Sequence, residues 1–364
     1  MVDDVQSPRS PSPSSSLDGL RSPAQALPVE LTCEIFLHCI SVSPIAPNAS
    51  PSRPLDDPPV LLTKICRKWR LIALSMPSLW SDVQLEFGGR RGLRVAYIDS
   101  WWNSFLETWF SRAQQQPLGI TISNLNPTDP DSDPALFGLL DNHRHRWRNL
   151  AINLPFMAFR QFSAIDPLPM LERLAIGAHN VPREVETPIT AFQFAPLLNH
   201  VSLGCGLRPR YFILPWEQLT RLELAAARVE DCLECLRQAP RIAICVLEIQ
   251  DTGSPTPIPP LLRLRSITLS GTDPSIILQF VAMPGLEDLD IAGTLNSEDL
   301  TRMNFFVSRS QCQLRRLRVH YIPNHLTAAA LHLLEALPFL TIPRDPRALC
   351  DRGQNNHGFL PPTR

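Results

Sequence analysis

The strongest constraint on this 364-residue chain is a recurring triple of the form aliphatic-x-x-aliphatic-x-aliphatic. It occurs at Leu171/Leu174/Ile176, Leu198/Val201/Leu203, Leu219/Leu222/Leu224, Ile244/Leu247/Ile249, Leu264/Ile267/Leu269, Leu286/Leu289/Ile291 and Leu314/Leu317/Val319. The first positions recur at intervals of 20 to 28 residues. The end of each triple alternates with period two, as a strand with one buried face requires. Helical patterns fill several intervals. Val229, Cys232, Leu233 and Leu236 share one helix face, and Pro274 opens a run through Val281. Asn296 or Ser297 is placed to cap a helix carrying Leu300, Met303 and Val307, and residues 325–337 supply another. A strand-plus-helix unit of this length cannot bury its apolar face alone, so successive units must stack. The expected class is α/β.

The period falls in the range of leucine-rich repeats and predicts an irregular βα solenoid over residues 83–343. The asparagine or cysteine that regular repeats carry eight residues after the anchor is missing. Those positions hold His179, Gly206, Ala227, Thr252, Thr272, Thr294 and Ile322. The convex side should therefore lack an asparagine ladder. Thirty-seven prolines punctuate the chain. Pro169, Pro196 and Pro284 lie two residues before an anchor, and Pro215, Pro240 and Pro260 lie four before one. Proline there stops a helix and favours the extended strand that follows. Upstream, residues 83–85, 118–122 and 150–154 alternate as strands, and Trp102, Phe105, Leu106, Trp109, Phe110 and Ala113 form an amphipathic helix.

Residues 1–25 are Ser/Pro-rich and read as a disordered tail, in which Ser7, Ser10, Ser12 and Ser22 each precede proline, the pattern of a proline-directed kinase site. Residues 26–82 form a separate unit with a proline-rich insert at 41–59, and residues 344–364 are a polar tail. Within the unit, Pro28 opens a first helix whose apolar face includes Leu31, Ile35, Phe36 and Ile40. After the insert, Leu62, Ile65, Cys66, Trp69 and Ala73 read as one face of a single second helix that ends before Pro77.

Leu27-Pro28-x-Glu30-Leu31, Ile35-Phe36, Ile65-Cys66-Arg67-Lys68-Trp69-Arg70 and Leu79-Trp80 together resemble an F-box, most closely that of fungal F-box-like proteins with C-terminal leucine-rich repeats. The resemblance is tight over residues 27–82 and loose beyond them. It implies docking on the Skp adaptor of a cullin–RING ubiquitin ligase, with the repeats holding an unidentified target protein. Carried over by motif, Leu27, Pro28, Leu31, Ile35, Phe36, Ile65, Cys66 and Trp69 would form or support the adaptor contact. The implied role is a non-catalytic substrate-recognition subunit. The alternatives are a repeat scaffold outside any ligase, an enzyme with an unrecognised site on the concave surface and, for residues 26–82, a plain capping unit on the repeats.

Inward-pointing aliphatic residues leave the intervening residues of each strand on the opposite, concave face. These are Arg173, His200, Ser202, Arg221, Glu223, Glu248, Ser266, Thr268, Asp288, Asp290, Arg316 and Arg318. The acidic pair 288/290 precedes the basic pair 316/318 by one repeat, which is either cross-strand charge pairing or a bipolar target-binding strip.

Other chemistry is thinly signalled. Thirty-four basic and thirty-five acidic side chains give a net charge of −1, so no nucleic-acid or anionic-membrane partner is expected. No apolar stretch has a membrane span's length. Nine cysteines, mostly in apolar stretches without a secretory leader, read as reduced, buried thiols in the cytoplasm and/or nucleus. Cys232-x-x-Cys235 has no second ligand pair for zinc and reads as core. Residues 129–133 begin like a calcium loop, but Pro134 stands where glycine is needed. The basic run His143-Arg144-His145-Arg146-Trp147-Arg148 could touch phosphate but reads as a solvated helix end. No nucleophile–base, phosphate-loop or dinucleotide motif is present, so neither a cofactor nor an enzymatic activity is expected.

Overall fold

The structure, a computed structural model, describes residues 26–40, 58–87, 98–124, 134–162, 166–251, 253, 255–294 and 296–321. The phosphosite pattern, most of the insert, the calcium-like loop, the helix expected at 325–337 and both tails lie outside the described residues.

Each aliphatic triple except that at 244 places two side chains inward from a short strand and a third just ahead of it. In chain order the elements are α1 (Val29–Cys39), α2 (Pro58–Ile65), α3 (Arg67–Leu74), β1 (Asp82–Phe87), α4 (Ile98–Arg112), β2 (Leu118–Asn124), α5 (Pro134–Asn142) and β3 (Trp147–Pro155). There follow β4 (Arg173–His179), β5 (His200–Leu203), β6 (Arg221–Arg228), α6 (Val229–Gln238), β7 (Ile244–Asp251), β8 (Ser266–Gly271), β9 (Asp288–Thr294), α7 (Ser297–Ser310) and β10 (Arg316–Tyr321). The ten strands form one sheet in strict chain order, and every pairing is parallel. Parallel neighbours need a crossover, which the helices and short 3-10 turns between strands supply. The protein is thus α/β, as expected.

One inward row crosses the whole sheet in register: Val83, Ile120, Leu150, Leu174, Val201, Leu222, Cys245, Ile267, Leu289 and Leu317. All but the last are fully buried, and Leu317 is half-buried. Cys245 in this row corrects the expected triple on β7. Ile242, Cys245 and Leu247 are the buried set, while Ile244 is 39% exposed. The true anchor is therefore residue 242, and Pro240 stands two before it, as Pro169, Pro196 and Pro284 stand before theirs.

A second regularity is made by main chain alone. The N–H groups of Glu172, Asn199, Thr220, Ala243, Arg265, Glu287 and Arg315 donate to the carbonyls of Arg148, Glu172, Asn199, Thr220, Ala243, Arg265 and Glu287 at 2.8–3.0 Å. From Glu172 onward each of these carbonyls also accepts from the residue that opens the next strand, at 2.9–3.2 Å. The strand entrances are thereby tied into a continuous ladder of rungs.

Side chains satisfy further carbonyls in the connections between strands. Gln218 Nε2 donates to the carbonyls of Ala195 and Leu198 at 2.7 and 2.8 Å. Arg309 donates to those of Leu278, Gln279 and Val281. The basic run behaves likewise, against expectation. Arg144 and Arg146 are 4% and 5% exposed rather than solvated. Arg146 donates twice to the Gln116 carbonyl, at 2.9 and 3.0 Å, and Arg144 reaches that of Ala191 at 3.2 Å. A guanidinium with five donors can satisfy carbonyls that would otherwise be orphaned.

Helix α7 is capped by Asn296, whose side chain accepts from Glu298 and Asp299 N–H while the Asp299 carboxylate accepts from Asn296 N–H, a complete capping box.

Candidate interaction surfaces

The expected second helix is two helices. Cys66 is extended, and its Sγ accepts from Trp69 N–H at 3.4 Å, so it ends α2 and caps α3. The break turns Ile65 outward. The helices are held from inside by Phe36, fully buried, with the Trp69 ring edge-on at 5.1 Å. Lys68 Nζ donates to the Leu27 carbonyl at 2.7 Å, closing α3 onto the start of α1. Trp80 then ties the unit to the sheet. Its Nε1 donates to the Ala73 carbonyl at 2.9 Å, and its ring stacks edge-on against Trp109 of α4 at 4.9 Å.

The eight residues matched to the adaptor contact divide by depth. Leu31, Ile35 and Ile65 are 52%, 43% and 59% exposed, and Pro28 is exposed too. Leu27, Cys66 and Trp69 are half-buried. Phe36 is core and touches no partner from there; it only supports the surface. The motif also missed Val29, Leu37, Leu61, Leu71 and Leu74, all large, apolar and exposed. The four-residue step from Leu61 to Ile65 was the available signal. Eight of the fifteen large exposed apolar side chains among the described residues lie on these three short helices. Such concentration is characteristic of interaction surfaces.

The second surface is the polar face of the sheet. Arg173, His200, Arg221, Ile244, Ser266, Asp288 and Arg316 form one row in register. Ala175, Ser202, Glu223, Val246, Thr268, Asp290 and Arg318 form the next. All the concave-face residues expected from sequence share this face. Glu248, however, sits one pleat further on, paired with Ser270, and Ser202 is buried. Ile244 and Val246, hidden by the misplaced anchor, make the middle of the face apolar.

Several charges on this face are paired. Glu223 Oε1 lies 3.2 Å from His200 Nε2 and 2.8 Å from an Arg221 Nη. Burial alone would raise the Glu223 carboxyl, but hydrogen bonds from His200 and Arg221 outweigh it and hold the group below its ordinary value. Arg316 is bidentate on Asp288, at 2.5 and 2.6 Å, and Arg318 Nε lies 3.0 Å from Asp290. The Arg316 hydrogen bond also holds the Asp288 carboxyl low. The acidic and basic pairs therefore meet as cross-strand ion pairs. Arg316 and Arg318 remain 69% and 65% exposed.

Cys232 and Cys235 on α6 and Cys245 on β7 are buried together. Burial pushes Cys232 up to about 12 and raises Cys235 and Cys245 well above the ordinary thiol value. Half of the eight described cysteines are buried; Cys39 and Cys205 are exposed, a wider spread than the sequence suggested. No group of three or more metal-ligating side chains occurs among the described residues, and no described helix is long and apolar enough to cross a membrane. No protein-family model matches the chain, and no curated protein matches it.

Proposed function

We propose that the chain is a substrate-recognition subunit of an SCF-type cullin–RING ubiquitin ligase. In this reading α1–α3 are an F-box-like unit that docks on the Skp adaptor. The strands and their connections are an irregular leucine-rich-repeat solenoid whose polar face holds a target protein. The chain itself performs no chemistry; tethering raises the target's effective concentration near the charged conjugating enzyme. The observation that carries the reading is the outward apolar set Leu31, Ile35 and Ile65 on helices packed from within by Phe36 and Trp69. Support for the repeat reading comes from the sequential parallel sheet and its backbone rungs.

Affinity capture followed by mass spectrometry tests it. The wild-type chain should recover adaptor and cullin, and a Leu31→Glu/Ile65→Glu variant should lose both while keeping target proteins. Capture of neither by the wild type, or equal capture by the variant, refutes the reading. Adaptor without cullin would instead place the chain in a scaffold outside the ligase.

A further inference from the structure

The polar face of the sheet is layered by charge sign. The carboxylates of Glu223, Asp288 and Asp290 lie low, 18–25% exposed, while the arginines paired with them, Arg221, Arg316 and Arg318, stand 42–69% exposed. Arg316 holds Asp288 through Nε and Nη2, so its Nη1 edge is directed away from that carboxylate. A guanidinium has five donors, and one carboxylate does not exhaust them. At the same end of the sheet, Arg265 and Arg315 share the single carboxylate of Glu287. Toward the other end, Arg173 is exposed and makes no ion pair among the described residues. An anionic partner therefore meets guanidinium first at both ends.

Between these ends the face is apolar. Ile244 is 39% exposed, and Val246 beside it is half-buried. In the row that crosses the strands, Ile244 on β7 lies three strands from Arg173 on β4 and three from Arg316 on β10. Strands about 4.8 Å apart put each arginine roughly 14 Å from Ile244, a distance that an extended chain covers in about four residues.

We propose that the target segment held on this face is an extended acidic stretch with an apolar side chain at its middle. The apolar side chain seats on Ile244 and Val246. Carboxylates about four residues to either side accept from Arg173 at one end and from Arg316 and Arg318 at the other. The inference rests on the reading of the polar face as the surface that holds a target. Each exposed charge contact is weak alone, so recognition lies in their number and spacing.

Fluorescence anisotropy of labelled peptides titrated with the full chain tests it. The probe is the end-capped peptide Glu-Glu-Ser-Thr-Ser-Leu-Ser-Thr-Ser-Glu-Glu. Its comparisons are the same residues with all four glutamates at one end, and the version with glutamine for glutamate. The probe should bind about tenfold tighter than either, and less tightly as salt rises. Arg316→Gln/Arg318→Gln and, separately, Arg173→Gln should each weaken it about fivefold or more, and Ile244→Ser about threefold. Arg237→Gln, on α6 behind the sheet, should leave it unchanged. Thermal melts that match the wild type show that each variant is folded, and Arg173→Gln breaks no ion pair among the described residues. Equal binding of probe and rearranged peptide, no binding at millimolar concentration, or unchanged binding by the folded arginine variants overturns the inference. So does binding of a phosphoserine version when the glutamate probe does not bind. Capture of adaptor and cullin is read on the same proteins. Capture without peptide preference overturns this inference alone, whereas peptide preference without capture supports it and refutes the ligase reading.

Discussion

Phe36 and Ile65 belong to the same helical unit but should differ sharply when truncated. Phe36 is 0% exposed and meets Trp69 at 5.1 Å. Phe36→Ala therefore leaves a cavity and should destabilise the unit by ~3–5 kcal/mol. Ile65 is 59% exposed, so about two-fifths of its surface is buried. Full burial of such a side chain contributes ~1.5–3 kcal/mol, which leaves about 1 kcal/mol or less for Ile65→Ala. Urea unfolding followed by circular dichroism gives both values, provided the m-value is unchanged. Hydrogen exchange of α1 amides localises the effect, since the unit can open before the sheet does. Equal losses for the two variants would refute the reasoning, because Ile65 would then be covered within the chain and unavailable to any partner.

Three further outcomes follow from the geometry. Arg302, 9% exposed, bonds Asp273 at 2.6 Å and Ser275 at 3.1 Å, and Ser275 in turn donates to buried Asp299. Arg302→Leu should destabilise by ~2–4 kcal/mol, somewhat under the full cost of a broken buried pair because Asp273 is partly solvated, and a neutral melt would contradict this. Glu223 has a folded-state value below its unfolded one, near 4.3; its pairing therefore adds stability that is complete above pH ~4.3 and is lost as pH falls through the folded value. Arg221→Gln should raise the carboxyl's NMR titration midpoint and flatten that acid loss, and an unmoved midpoint would argue against the pairing. Iodoacetamide should label exposed Cys39 in the native chain, label Cys205 more slowly because burial and Glu248 raise its thiol, and spare Cys232, Cys235 and Cys245 until the chain unfolds; early labelling of Cys232 would show that α6 opens readily.

The α/β class and most strand positions were legible because a row of Leu, Ile and Val is the direct imprint of a buried parallel sheet. Legibility failed where burial used another side chain. Cys245 replaces an aliphatic residue in the inward row, so Ile244, with Leu247 and Ile249 behind it, supplied an equally good decoy two residues late. Trp147, buried at the start of β3, was invisible for the same reason. Arg144 and Arg146 were read as solvated because charge usually is, but the carbonyls of Ala191 and Gln116, in connections between strands, hold them inside. The break at Cys66 could not be read from periodicity, since the apolar spacing runs on across it. For the candidate surfaces, the motif named the right helices, while only the fold separated Phe36, which supports, from Leu31 and Ile65, which face out.

The rungs at the strand entrances are blind to side chains, and this bears on how such a chain can change length. The carbonyl of Thr220 receives the N–H groups of Ala243 and Ile244, and that of Ala243 receives those of Arg265 and Ser266. Excision of residues 243–264 would present Arg265 and Ser266 to Thr220 in the same geometry, with Ile267 falling beside Leu222. A cut that did not run from one rung to another would leave one carbonyl facing the wrong donors and slip the inward row. Tolerated insertions and deletions are thus quantised, whole rung to whole rung, and a lineage of such chains can grow or shorten its sheet without inventing a new interface.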